Sequence, residues 1–234
     1  MKQTYQITQS IKPIYIDKEL LREIENYCFN QLPGYLEIEP QALRECYSIS
    51  LLGSTGEQRI DGIDNYELST LPEDIKKIII RLYYQNNETD SLLSIQYSFG
   101  EERFSSNLTT EIFTENANEK ALVINENILR ILHQNKTLNY LFHPSQILLT
   151  LLIAICALIP CIAGYQWFNN KEAAKVILLI GIPAAGYYWI AQQLKPFCSF
   201  DTNRQKTNDK ISYYFLLGTL GFIIISTIFT ILKK

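Results

Sequence analysis

Histidine is scarce, with only His133 and His143 among 234 residues. No cysteine or carboxylate stands at ligand spacing beside either one, so an imidazole metal site is not expected. His133 falls in the last turn of a predicted helix, where a partial positive charge is favourable. Cysteine is sparse too. Cys28, Cys46, Cys156, Cys161 and Cys198 form neither a CxxC pair nor a Cys/His pattern, which argues against a zinc site and a redox dithiol. Free Cys28 and Cys46 suit a reducing compartment. No serine sits in a nucleophile elbow. "GSTGEQ" (53–58) lacks the Lys-Ser/Thr of a phosphate-binding loop and the third glycine of a dinucleotide loop. It reads as a turn, with Arg59 just beyond it. The residues therefore predict no enzyme, no metal and no cofactor.

Acidic residues are missing from the C-terminal part. Residues 1–140 hold 13 Lys and Arg against 21 Asp and Glu, a net charge of −8. Residues 141–234 hold 8 against 3, a net charge of +5. Such asymmetry marks two environments. Charge is absent altogether from three long apolar runs, at about 147–168, 176–194 and 213–232. A bilayer core needs roughly 20 apolar residues per helix, and a buried helix of a small soluble domain is shorter and has a polar face. The runs predict three transmembrane helices. Tyr165, Trp167 and Phe168 close the first run, Tyr187, Tyr188 and Trp189 lie late in the second, and Tyr213 and Tyr214 open the third, as interfacial aromatic belts do. "NNKE" (169–172) joins the first two as a hairpin, and 195–210 returns as a loop on the side of the N-terminal domain.

No apolar h-region opens the chain. On the N-terminal domain's side, Arg130, Lys136, Lys195, Arg204, Lys206 and Lys210 flank the runs, against Lys171, Lys175, Lys233 and Lys234 on the other. The bias predicts a multi-pass protein, of the bacterial inner-membrane kind, with its N-terminal domain cytoplasmic. Sequons at Asn87, Asn107 and Asn135 then carry no meaning.

The N-terminal part reads as an α+β domain over 1–138 that folds by itself, joined by a linker at 139–146 to the membrane domain at 147–234. A helix is predicted at 17–34, capped by Asp17 and ended by Pro33-Gly34. Strands are predicted at 47–53, 77–85, 91–100 and 108–113, with short turns that favour an antiparallel sheet. A last helix spans about 117–133, with Asn116 and Glu119 as its capping box. Two helices on one face of the sheet give a layered α+β fold.

The pairs Glu37/Glu39 and Asp61/Asp64 read as solvated acids. A domain with a charge of −8 repels a nucleic-acid polymer. Arg59, Lys76, Lys77 and Arg81 are the candidate site for a small anionic ligand. Within the runs, no ionisable residue lies at mid-span, which disfavours ion-coupled transport. Gly181 and Ala185 form a small-xxx-small pair, and Ser212, Thr219 and Ser226 recur every seven residues. Both patterns serve close helix packing, within one bundle or between copies in a homo-oligomer. Two functions follow as expectations. In one, the cytosolic domain senses a ligand or protein partner and changes an oligomeric bundle in the lipid bilayer that acts as an effector, pore or signalling element. In the other, the runs only anchor an adaptor.

Overall fold

A computed structural model describes residues 2–66, 71–86, 91–145 and 171–232, together with positions 147, 148, 150, 151, 154, 158, 162 and 165. The chain divides into two compact units. One comprises Met1–Asn139 and Phe197–Arg204, the other Tyr140–Pro196 and Gln205–Lys234.

The first unit is built on a six-stranded antiparallel sheet. Its strands are β1 (Gln3–Ser10), β3 (Tyr47–Gly53), β4 (Glu57–Ile60), β5 (Ile75–Asn86), β6 (Ser91–Gly100) and β7 (Asn107–Thr114), in the order β1-β7-β6-β5-β3-β4. Alternation sets its two faces. Ile78, Ile80 and Leu82 of β5, with Leu93, Ile95, Tyr97 and Phe99 of β6, point into the core. They meet Leu20, Leu21 and Ile24 of α1 (Lys18–Asn26) and Ile124, Ile128 and Leu132 of α4 (Ala117–Gln134). Helix α4 packs on β1, β7 and α1. This is the antiparallel α+β arrangement that the patterning predicts.

Several local features depart from expectation. β1 was not legible, because "QTYQITQS" is polar and lies at a sheet edge. The first helix does not stop at Pro33. A π-helical turn at Tyr27–Gln31 leads into α2 (Leu32–Leu36), which opens with Pro33 in its first turn. Proline is tolerated there because its missing N–H is not needed. The segment ends at Glu37, whose backbone is left-handed (φ 58°). A short helix α3 (Pro40–Glu45) follows. Asp17 caps α1 as expected, accepting from Leu20 N at 2.8 Å. Asn116 does not complete a capping box. Its backbone is left-handed (φ 55°, ψ 35°), and its side chain makes no cap bond.

Residues 197–204 are part of this first unit. β2 (Tyr15–Ile16) pairs in parallel with β8 (Ser199–Phe200). Ser199 N donates to Ile14 O at 3.0 Å and Asp201 N to Ile16 O at 2.8 Å. On the other side, Phe197 N donates to Glu101 O at 2.7 Å and Cys198 N to Gly100 O at 3.2 Å. Phe197, Cys198 and Phe200 are buried in the core. Sequence reading assigns these residues to a connecting loop, because "PFCSFD" is too short to declare a strand of its own.

In the second unit, one helix among the described residues is long and apolar enough to cross a membrane, at Asn203–Phe229 of Asn203–Leu232. Three were expected. Most of the first run lies outside the described residues. The second forms the helix Lys171–Leu194, with Pro183 inside it and polar or amphipathic Tyr187, Tyr188, Trp189, Gln192 and Gln193 in its second half.

Candidate functional site

The four predicted cationic residues separate into three and one. Arg59 on β4 and Lys77 and Arg81 on β5 alternate onto the sheet face opposite the helices. Ser50 stands between Arg59 and Ile79 in the ladder, Ser48 lies opposite Arg81, and Leu52 lies between Glu57 and Lys77. Lys76 is exposed at the register shift opposite Leu52 and Gly53, where alternation does not assign its face. Arg81 Nη1 donates to Ser50 Oγ at 3.3 Å and lies 3.9 Å from Glu57 Oε1. The carboxylate offsets part of the positive charge that an anion would need.

The "GSTG" loop is the turn between β3 and β4, and it holds an anion of its own. Asp74 Oδ2 accepts from Thr55 Oγ1 at 2.8 Å, Ser54 Oγ at 3.1 Å and Thr55 N at 3.2 Å. These bonds, led by the Thr55 hydroxyl, hold the Asp74 carboxyl below its usual range. A Cβ at Gly53 would come within 2.5 Å of Asp74 Oδ2, so a larger residue there would displace the Asp74 carboxylate.

A cleft of 440 Å³ opens between α1, the π turn, α3 and the turn after β4. Its volume is in the range of small-ligand sites. Glu25 lies at its base, nearly buried, and Glu25 Oε1 accepts from Ile63 N at 2.6 Å. Burial raises the Glu25 carboxyl to about 7, against the pull of that bond and of Arg22 and Arg44. Arg44 lies 4.7 Å over the Phe29 ring, which packs edge-on against Tyr47 at 4.9 Å. Arg22 Nε donates to Asp64 Oδ1 at 2.8 Å. Asn26, Asn30 and Asn65 add amide groups to the wall. Two guanidinium groups, one of them paired with Asp64, stand with Asp61, an aromatic face, amides and a carboxyl near neutrality, a lining that can hold a small polar ligand.

Sequence reading placed Asp61 and Asp64 as solvated acids and missed Glu25, Arg22 and Arg44. A signal was present, since Glu25 falls within the apolar stripe Leu21, Ile24, Cys28 and Leu32 of its own helix. His133 does sit in the last turn of α4, but burial, Lys136 and Lys12 push its imidazole below the usual value. Burial raises the Cys28 thiol to about 12 and the Cys198 thiol to about 11, so neither is a ready nucleophile. No group of three or more His, Cys, Asp or Glu side chains suited to a metal is found among the described residues.

In the helix Asn203–Leu232, Ser212, Leu216, Thr219, Ile223 and Ser226 are less exposed than most of their neighbours. Thr219 Oγ1 donates to Phe215 O of its own helix at 2.9 Å. Gly181 and Ala185 lie one turn apart in the helix Lys171–Leu194. An apolar groove of 580 Å³ runs between these helices, lined by Pro183, Gly186, Gly218 and Phe222 among others. No protein-family model, curated protein or solved structure matches the chain.

Proposed function

We propose that this is a multi-pass membrane protein whose cytosolic α+β domain senses a small anionic ligand and transmits its occupancy to a homo-oligomeric bundle of three spans. The cleft at Glu25 is taken as the ligand site because it is concave and sets two arginines beside amides and an aromatic ring, with Asp61 and Asp64 also in its wall. The observation that carries the reading is the discontinuity of the sensing domain. The chain leaves the first unit after Asn139, re-enters it at Phe197 and leaves again after Arg204. Three crossings tie the domain to the helices. A rearrangement of β8 has a covalent path to both flanking helices, and Glu101 reaches that segment through its hydrogen bond from Phe197 N. An anchor needs only one crossing.

The reading is tested by inserting a flexible four-residue Gly/Ser linker at each of the three crossings. Linkers of that composition transmit little force. Membrane insertion should be unchanged, and the thermal midpoint of the sensing domain should fall by no more than it does on loss of the Glu73 cap. Toxicity or dye leakage on overproduction should be lost. If the linkers leave that output intact, the spans act as an anchor and the protein is an adaptor.

A further inference from the structure

We infer that β1 is a pairing edge for a second copy of this chain, which extends the six-stranded sheet across a two-fold axis at Gln6. The inference goes beyond the sensing role and does not depend on it. The sheet has two edges, and they differ. β4 has four residues and carries Glu57 and Arg59. Short length and charge are the usual means of protecting an edge. β1 has eight residues from Gln3 to Ser10, with no charge and no proline, and pairs with β7 in one unbroken register. Neither short length, charge, proline nor a bulge protects β1 itself.

The ladder fixes which main-chain groups are available. Ile11 N donates to Ser106 O, the position opposite it in the β1–β7 register. Antiparallel pairs alternate between bonded and non-bonded. Odd-numbered residues of β1 therefore bond to β7, and the N–H and C=O groups of Thr4, Gln6 and Thr8 point away from the sheet.

These groups are self-complementary. In antiparallel pairing centred on Gln6, Gln6 meets Gln6 of the second copy, and Thr4 meets the second copy's Thr8 in both directions. All three pairs are of the bonded kind and exchange two main-chain bonds each. On the helix-bearing face, Tyr5 meets the second copy's Ile7 twice. Both side chains are only half-buried and already rest on the core, so pairing would complete their cover. Aromatic–β-branched pairs of this kind favour a register. Sliding by one pair sets Tyr5 against Gln9 and Ile7 against Ile7 in one direction, and Tyr5 against Tyr5 and Gln3 against Ile7 in the other, so either slide gives up both Tyr5–Ile7 contacts and leaves one apolar pair in place of two. In the favoured register, Lys2 falls opposite the second copy's Ser10, so no like charges meet.

Disulfide trapping in the full chain tests the edge, with the unsubstituted protein as blank. Gln6→Cys should cross-link to a dimer under mild oxidation, since bonded pairs stand about 5.5 Å apart between Cα atoms, within disulfide reach. Thr8→Cys alone should not, because its own copy lies about 13 Å away along the strand. Thr4→Cys/Thr8→Cys in one chain should cross-link, and adding Gln6→Lys should abolish it by opposing two ammonium groups. Gln6 N–H points outward, so Gln6→Pro leaves the β7 ladder whole and provides a second blocking variant. Failure of Gln6→Cys to cross-link, equal cross-linking of Thr8→Cys, or cross-linking that survives Gln6→Lys and Gln6→Pro would overturn the inference.

Discussion

Glu25 concentrates the energetics of the cleft in one side chain. A carboxyl held near 7 by burial keeps its proton in the folded protein at pH values where the unfolded chain has lost it. The folded state then binds more protons, so stability falls as pH rises from about 4.5 to about 7 and levels off above. Its contribution is fully present below the unfolded value and lost as pH passes the folded one. Glu25→Gln keeps an acceptor for Ile63 N and removes the charge. Urea unfolding should show the variant more stable than the parent at pH 8, by roughly 1 kcal/mol after discounting for partial solvent access, with the gap closing at pH 4.5. A gap of equal size at both pH values would mean that the carboxyl is not the titrating group. Tyr97 offers a second case at the same scale. It is fully buried, and its hydroxyl has no hydrogen-bond partner among the described residues. An unsatisfied buried hydroxyl costs about 1–3 kcal/mol. Tyr97→Phe should raise the urea midpoint, and a lowered midpoint would show that the hydroxyl is satisfied. Neither residue declared itself in the sequence. Glu25 resembles any polar residue of an amphipathic helix until its place in the apolar stripe is noticed. Whether Tyr97 has a partner depends on strands and helices far away in the chain.

Elements were legible where composition or periodicity was strong. "KIIIRLYY" and "SLLSIQYSF" are rich in β-branched and aromatic residues and are flanked by turn residues, and they form the central strands. The apolar stripe of α4 was equally clear. β1 was not, because only Tyr5 and Ile7 of its eight residues are apolar, and these two are only half-buried on the core. The start of the helix Asn203–Leu232 shows a third kind of limit. Its first amides are capped by Glu73, with Asn203 N donating to Oε1 at 3.0 Å and Arg204 N to Oε2 at 2.8 Å. A carboxylate at a helix N-terminus satisfies orphan donors and complements the helix dipole. No local pattern reveals a cap supplied from 130 positions away. Glu73→Ala should destabilise the first unit by about 1 kcal/mol, and Glu73→Gln by less, because it retains an acceptor. Equal thermal midpoints for Glu73→Ala and the parent would show that water replaces the cap without cost.

At the scale of the whole molecule, the decisive feature is a unit made from two separated pieces of chain. Sequence reading takes residues 1–138 as self-sufficient, since both amphipathic helices and all the strong strands lie there. The structure adds Phe197–Arg204, and its bonds are of a kind that a domain core does not readily lose. Asp201 Oδ1 accepts from Tyr15 Oη at 2.8 Å, Ser199 Oγ from Asn139 Nδ2 at 2.8 Å, and Asp201 O from Leu71 N at 3.2 Å. Without the segment, the main-chain groups of Ile14, Ile16, Gly100 and Glu101 lose their partners, and the space filled by Phe197 and Phe200 stands open. Removal of one large buried aromatic side chain typically costs about 3–5 kcal/mol, a large share of a domain's net stability. A fragment of residues 1–139 should therefore melt without cooperativity or bind a dye specific for exposed apolar surface. The same fragment joined by a short Gly/Ser linker to residues 197–204 should melt cooperatively, because the Asn139–Ser199 bond brings the two ends close. Phe197→Ala/Phe200→Ala in the joined fragment should return it to the behaviour of residues 1–139. If residues 1–139 alone melt at the midpoint of the joined fragment, the returning strand is dispensable, and the covalent path proposed between the sensing domain and the spans loses its mechanical basis.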